Sequence, residues 1–496
     1  MTFLSEVEIP LKVVIDKHKE RVVFAEANSD FVDILFSFLT MPMGTIVRLL
    51  NKHLEYSKPP PIGNFNNLYE TVVNFDAKYF VTSENKDWLV TTSNNAGPEC
   101  QSLKINIDDT NLRKYFICPN SSCTIERDLP SISSYSSVKC RHCGEYLSRL
   151  INYRADTSEA NEGVFLSQTA SFVISDDLHV TPNTMDSTIR ILESTGIKEF
   201  GVLEEKMLQI GSSEILDLLM YSMSSKTPLT DMVFGKKEFI SDIVMPSIQS
   251  QISTECVTNF KNMSVKVLVQ KSNNRILLAQ TAEDFVEFLF CFLGMPMGRI
   301  IRFLGDSYLS KGVVDNLYRS LSNLDVGKHL KSDDLKCMLL NPAFDIPSIQ
   351  TFYTNDEEDV DYYFHSNYDS LSKQNTFYLT YGNGREMTYE EPLKDDEAFV
   401  RGPKNFMVSD DLSVTPLSFM SCITYLRSLK VPLSDVEEHE INIGAEEALN
   451  LLRACLMSTS VLTIGLKNFM PIDSLQENGR WWRPLRRLFS ECFLQQ

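Results

Sequence analysis

Positive charge is what this sequence is short of. Its 47 lysines and arginines face 66 aspartates and glutamates, a formal net charge of −19. A field of that sign repels phosphate backbones unless a local basic patch overrides it, so nucleic acid is disfavoured as a partner. Long apolar runs are missing as well. The two most apolar stretches, 31–44 and 285–298, are each broken by an acid (Asp33, Glu287) and a proline, and both are too short to span a bilayer. Met1–Glu8 offers no basic cluster and no apolar core, so no secretory leader is expected and the expected compartment is cytoplasmic or nuclear. The seven histidines have no metal-binding or catalytic spacing. Nucleotide-binding glycine loops, nucleophile elbows and zinc-protease helix motifs are all lacking. These absences weigh against catalysis and leave an enzyme without recognisable motifs as an alternative.

What is present is globular. A hydrophobic content of 43% with 23% charged residues supplies cores that need no disulfide staples. Eleven cysteines without a secretory route are reduced thiols or metal ligands. At 496 residues the chain exceeds one ordinary domain, and self-comparison explains why. Residues 12–50 align with 266–304 without a gap, and 19 of the 39 positions are identical. Met41-Pro42-Met43-Gly44 recurs as Met295-Pro296-Met297-Gly298. Asn67-Leu68-Tyr69 recurs as Asn316-Leu317-Tyr318, and Ser175-Asp176-Asp177-Leu178 as Ser409-Asp410-Asp411-Leu412. Val180-Thr181-Pro182 matches Val414-Thr415-Pro416, and Ile210-Gly211 matches Ile443-Gly444. Landmarks kept in one order predict two tandem homologous lobes of an α+β fold. The expected division is lobe 1 over 1–237, a linker over 238–262, lobe 2 over 263–475 and a C-terminal tail over 476–496.

Each lobe reads alike. Lys12–Lys17 and Arg21–Ala27 are β-type runs joined by a polar turn, hence a hairpin. The matching turn in lobe 2 contains Asn273-Asn274, and asparagine tolerates left-handed backbone. A helix apolar on most faces follows from Phe31, with Ser29 or Asp30 as its cap, and is therefore buried. Pro42 ends or kinks it, and Gly44 opens a second helix over Thr45–Asn51. Later come a strand at Ser171–Ile174 and a turn at Asp176-Asp177. Thr181 is then expected to cap a helix with Pro182 at its first position. Another helix follows Gly211, with Ile215, Leu216, Leu218 and Leu219 facing the core.

These strings carry a family resemblance. Phe24-Ala25-Glu26-Ala27, Asp30-Phe31-Val32 and Met41-Pro42-Met43-Gly44 resemble a plant family catalogued as domain of unknown function 674. Ser409 to Pro416 and the segment from Ile443 to Leu449 are similar to it too. The resemblance covers roughly 10–237 and 264–465, as two tandem copies, and implies no activity. The tail departs from the family pattern.

The clearest chemistry is a set of four cysteines, Cys118, Cys123, Cys140 and Cys143, spaced C-x4-C-x16-C-x2-C. Two short hooks each offer a pair of thiolates, which suits tetrahedral zinc. Pro119-Asn120 and Gly144 fit tight thiolate turns, and His142 is an alternative ligand. Asp76 to Asp128 spans 32 more residues than the matching Asp325 to Asp345, so the hooks lie in an insert of lobe 1, about 115–146. Ligands present together in one lobe and absent together from the other behave as one site. A closed set of four thiolates leaves no open coordination position, so the expected metal is a structural zinc in a zinc-ribbon-like insert. The competing reading is four unrelated reduced thiols.

Other groups carry less. Adjacent residues on extended chain point to opposite sides, so Asp176-Asp177 and Asp410-Asp411 read as turn chemistry. The Met-Pro-Met-Gly strings read as buried helix corners, with a soft, adaptable binding surface as the alternative. Gly382-Asn383-Gly384 reads as a hairpin turn between Phe377–Tyr381 and Glu386–Tyr389, and Asp356–Asp361 as a solvated loop. In the tail, Trp481, Trp482, Leu485, Leu488, Phe489, Cys492 and Phe493 recur near helical spacing, with Arg483, Arg486 and Arg487 between them. That is an amphipathic helix for the protein's own surface, a partner or a membrane. Together these features predict a binding or scaffold protein with a protein partner, no transmembrane segment and no catalytic residues. A basic patch formed by Arg113, Lys114, Lys139 and Arg141 would instead favour a nucleic-acid binder acting through the cysteine hooks.

Overall fold

The computed structural model describes residues 7–55, 62–81, 83–112, 114–124, 130–133, 136, 138–153, 163–167, 170–197, 199–235, 260, 262–305, 313–342, 362–369, 374–381, 385–386, 388–389, 399–402 and 405–467. Arg113, nearly all of the expected linker, the Gly382–Gly384 turn, the acidic run 356–361 and the tail lie outside the described residues.

The first lobe opens with the expected hairpin, β1 (Ile9–Asp16) and β2 (Arg21–Asn28). Then come α1 (Ser29–Ser37), α2 (Met43–His53), α3 (Phe65–Asn74), α4 (Ser83–Val90) and the short α5 (Gly97–Cys100). The insert contributes β3 (Tyr115–Ile117), α6 (Ser121–Thr124), β4 (Ser131–Ser133) and β5 (Arg149–Tyr153). The lobe closes with β6 (Ser171–Ser175), β7 (Val180–Pro182), α7 (Met185–Thr195), β8 (Leu203–Ile210), α8 (Ser212–Ser224) and α9 (Pro228–Phe234).

The second lobe repeats the plan: β9 (Met263–Gln270), β10 (Arg275–Thr281), α10 (Glu283–Gly294), α11 (Met297–Leu304), α12 (Val314–Asn323) and α13 (Asp333–Leu340). Four strands follow, β11 (Tyr362–Asp369), β12 (Gln374–Tyr381), β13 (Arg385–Glu386) and β14 (Thr388–Tyr389). It ends with β15 (Phe406–Ser409), β16 (Val414–Pro416), α14 (Phe419–Ser428), β17 (Val436–Ile443), α15 (Ala445–Met457) and α16 (Val461–Gly465).

The lobes share one topology. Their antiparallel sheets run β7-β6-β2-β1-β8 and β16-β15-β10-β9-β17. Both hairpins bulge at the same place, Val23 in one and Leu277 in the other, where the register slips by a residue. A bulge leaves its extra residue unpaired and bends the strand. Asn274 takes the left-handed conformation in its hairpin turn, and Glu20 takes it in the other.

Local chemistry sets the element ends. Asn28, rather than Ser29 or Asp30, caps α1, its side chain accepting the Phe31 N–H at 3.3 Å. Thr181 and Pro182 do not open a helix: Val180–Pro182 is a strand paired with β6. The cap shifts to Thr184, which shares a capping box with Ser187, and Ser418 and Ser421 do the same for α14. A capping box satisfies two free donors at once.

One apolar core runs through both lobes, from Phe31 and Phe36 to Phe285 and Phe290. Each sheet turns one face to that core and the other to a single helix. Ile191 and Leu192 of α7 cover Val14, Val23 and Phe24, while Tyr425 and Leu426 of α14 cover Leu268 and Leu277.

The lobes meet about an approximate two-fold axis at the two Met-Pro-Met-Gly corners. Met43 N–H donates to Met295 C=O at 3.0 Å, and Met297 N–H to Met41 C=O at 3.1 Å. Other contacts between lobes are also doubled. Asn67 donates to the Asp411 carbonyl and Asn316 to the Asp177 carbonyl. The Val180 N–H donates to the Ser320 hydroxyl, and the Val414 N–H to that of Thr71. So α3 braces the sheet of lobe 2, and α12 that of lobe 1.

A third sheet has the order β13-β11-β12-β5-β3-β4-β14. It corrects the expected hairpin around Gly382–Gly384: β11 lies between β12 and β13. β12 has β11 on one side and β5 on the other, so neither edge is free for the residues after the turn.

Candidate metal centre

β3 delivers Cys118 directly off its end, anchored between β4 and β5. After Pro119 the chain turns back. Asn120 accepts the Cys123 N–H on its carbonyl at 3.1 Å and the Ser122 N–H on its side chain at 3.0 Å. That turn starts α6, which carries Cys123. The second hook is a small hairpin. Leu147 N–H donates to Val138 C=O at 2.8 Å, and Cys140 N–H to Glu145 C=O at 2.7 Å. Gly144 closes it with φ 77°, the left-handed region open to glycine.

The two hooks bring all four sulfurs within 4.8 Å of one another, with Cys118 Sγ and Cys143 Sγ 3.4 Å apart. A tetrahedral zinc with Zn–S bonds of about 2.3 Å sets its sulfurs about 3.8 Å apart, so the cluster is of the right size. Cys118, Cys123 and Cys140 are buried beside Val138 and Leu147, and Cys143 is exposed. Burial pushes the Cys118 thiol well above its ordinary value and that of Cys123 up to about 11. At Cys140 burial acts in the same sense, but N–H groups of Cys143 and His142 and the neighbouring thiols outweigh it and leave the thiol lowered. N–H groups turned toward the sulfurs of Cys118 and Cys140 favour thiolates, the form a metal requires. A bound dication would offset the repulsion among four such charges. His142 is exposed and lies outside this group, so the set is four thiols.

The family described as protein of unknown function (DUF674) matches residues 5–446. The chain belongs to the DUF674 family. No curated protein and no solved structure matches it. The DUF674 match is a single span that contains the four cysteines and runs from β1 to the start of α15.

Elsewhere in this DUF674 fold the acid pairs separate. Asp176 is buried and Asp177 exposed. Asp176 accepts the Thr230 N–H at 2.8 Å and its hydroxyl at 2.7 Å, while Asp410 accepts the same pair from Thr463 at 2.8 and 2.9 Å. Burial raises both carboxyls, Asp176 up to about 6. Leu178 and Leu412 end these turns with φ 61° and 63°, strained for leucine and held by fully buried side chains. The Met-Pro-Met-Gly corners are buried as expected. A Cβ on Gly44 would sit 3.2 Å from the Leu293 carbonyl, and one on Gly298 2.9 Å from that of Leu339.

Two acids, buried Asp33 and half-buried Glu287, take a role that only the structure shows. Asp33 accepts the N–H groups of Val164, Phe165 and Leu166 at 2.7, 3.2 and 3.0 Å. Its counterpart Glu287 accepts that of Val400 at 2.7 Å. Their sequence signal is an acid set within an apolar helix. Among the described residues no helix is long and apolar enough to cross a membrane.

Proposed function

We propose that this chain is a non-enzymatic binding or scaffold protein whose insert holds a structural zinc on Cys118, Cys123, Cys140 and Cys143. The gathering of four thiols carries the metal part, since soft thiolate sets in tetrahedral reach favour zinc. A structural role follows from the closed ligand set and its position. The strands beside it, β4 and β5, pair with β14 and β12 of the second lobe. The metal then fixes a sheet shared by both halves.

The binding part rests on α7 and α14. They are equivalent helices on opposite sheets, neither buries a residue fully, and they expose different side chains. Met185 and Ile189 stand out on one, Phe419, Met420 and Ile423 on the other. Two related but unlike apolar surfaces suit partners engaged together, which adds avidity without new contacts. The proposed division is lobe 1 over 1–237, linker 238–262, lobe 2 over 263–475 and tail 476–496. A reducing cytoplasm or nucleus keeps the thiols available, and the family resemblance supports a plant source. Affinity capture from plant extract should recover a specific protein that Ile189→Glu or Met420→Glu releases. Equal capture by wild type and both variants contradicts the use of these helices.

The nucleic-acid reading has one observation in its favour. Lys114, Lys139 and Arg141 are exposed around the hooks, and Lys139 Nζ lies 5.5 Å from the Tyr146 ring centre. Gel shifts with random DNA and RNA at physiological salt separate the readings. Sub-micromolar binding abolished by Lys139→Ala with Arg141→Ala would replace the scaffold reading.

A further inference from the structure

The four thiols are not equally accessible. Three are buried and Cys143 is exposed, in the turn of the second hook just before left-handed Gly144. Its sulfur also has a partner in place, Cys118 Sγ at 3.4 Å. Susceptibility to oxidation follows thiolate character and exposure, and reversible oxidation needs a second thiol close by. A metal supplies the first condition by holding its ligands deprotonated.

We infer that Cys143 is an oxidation site, and that a hydroperoxide acting there releases the metal by forming a Cys118–Cys143 disulfide. This rests on the metal centre proposed above. The Cys143 thiolate attacks the outer peroxide oxygen. The O–O bond breaks, one oxygen stays on sulfur as a sulfenic acid, and hydroxide or alkoxide leaves. The Cys118 thiolate then attacks the Cys143 sulfur, the S–O bond breaks and a second hydroxide leaves. Two electrons pass from the two thiolates to the peroxide. The metal keeps Cys123 and Cys140 as its thiolate ligands and dissociates. Because Cys118 ends β3, between the strands that meet β12 and β14, the change is delivered to the sheet joining the lobes. A thiol reductant with zinc reverses it.

The test uses full-length protein purified reduced and without chelator. Zinc content is measured first. Hydrogen peroxide is then added, release is followed with a zinc-binding dye, and disulfides are mapped by peptide mass spectrometry. Loss of the bound zinc together with a Cys118–Cys143 linked peptide is the expected result. Cys143→His removes the oxidisable sulfur, so the zinc it binds, measured before peroxide, should leave more slowly than from the wild type. Zinc that stays bound through peroxide treatment overturns the oxidation site, and so does a disulfide that leaves Cys143 out. Release from Cys143→His at the wild-type rate does the same. Protein that holds no zinc before peroxide overturns the metal centre itself.

Discussion

Asp33 and Glu287 occupy matching places on α1 and α10, each flanked by apolar residues. Each anchors a passing strand of backbone that also pairs with the other lobe. Phe165 C=O accepts the Lys331 N–H at 3.1 Å, and Phe399 C=O that of Val81 at 3.0 Å. Burial pushes both carboxyls up to about 7, against the N–H groups that pull them down. A carboxyl raised in the folded protein stabilises it most when protonated. That contribution is complete below the ordinary values of 3.8 and 4.5 and is lost as pH rises through about 7. The melting temperature should therefore fall between about pH 4 and about pH 7, and Asp33→Asn with Glu287→Gln should flatten the fall. An equal slope in the double variant contradicts this. At Asp176, the Thr230 hydroxyl donates to the carboxylate and accepts the Val22 N–H at 2.8 Å. Thr230→Val strands both partners and should cost about 1–3 kcal/mol in urea unfolding; a change within error would show these bonds to be dispensable. The four cysteines were legible in the sequence because metal ligation is written in short spacings. The two acids were not, because the N–H groups that Asp33 holds come from residues more than a hundred positions away.

Elements were legible where one period ran long enough. The hairpins, the buried helices and the helix after Gly211 all stand where the patterns placed them. Val180-Thr181-Pro182 did not, because Thr-Pro favours a helix start locally while three backbone pairs to β6 hold it extended. The third sheet was hidden for another reason. Its β4 and β5 find partners in β14 and β12, residues of the other lobe, and no local pattern encodes such a pairing. At the helix corners the two glycines differ in a testable way. Gly298 has backbone oxygens of Leu339 and Leu39 at 2.9 and 3.1 Å from an added Cβ, whereas Gly44 has none nearer than 3.2 Å. Gly298→Ala should cost about 1–3 kcal/mol, as overpacking does, and Gly44→Ala less. The reverse order in denaturant titrations would show that the α11 corner yields more easily than its packing implies.

At the scale of the molecule, the halves act as a fused pair: corners, bracing helices and anchored strands are all exchanged about one axis. The insert with the four cysteines lies off that symmetry and adds a sheet spanning both halves. With β12 and β14 paired to the insert, metal removal should loosen those strands along with the insert itself, which hydrogen exchange reads at 374–381 and 388–389. In the proposed site four cysteines hold one metal that secures this junction. The direct measurement is metal content of full-length protein purified reduced and without chelator, beside a Cys140→Ser, Cys143→Ser variant. About one zinc per chain in the wild type, lost in the variant, is the expected result for a four-thiolate site. A metal-free wild type, or zinc content unchanged by the two substitutions, contradicts it.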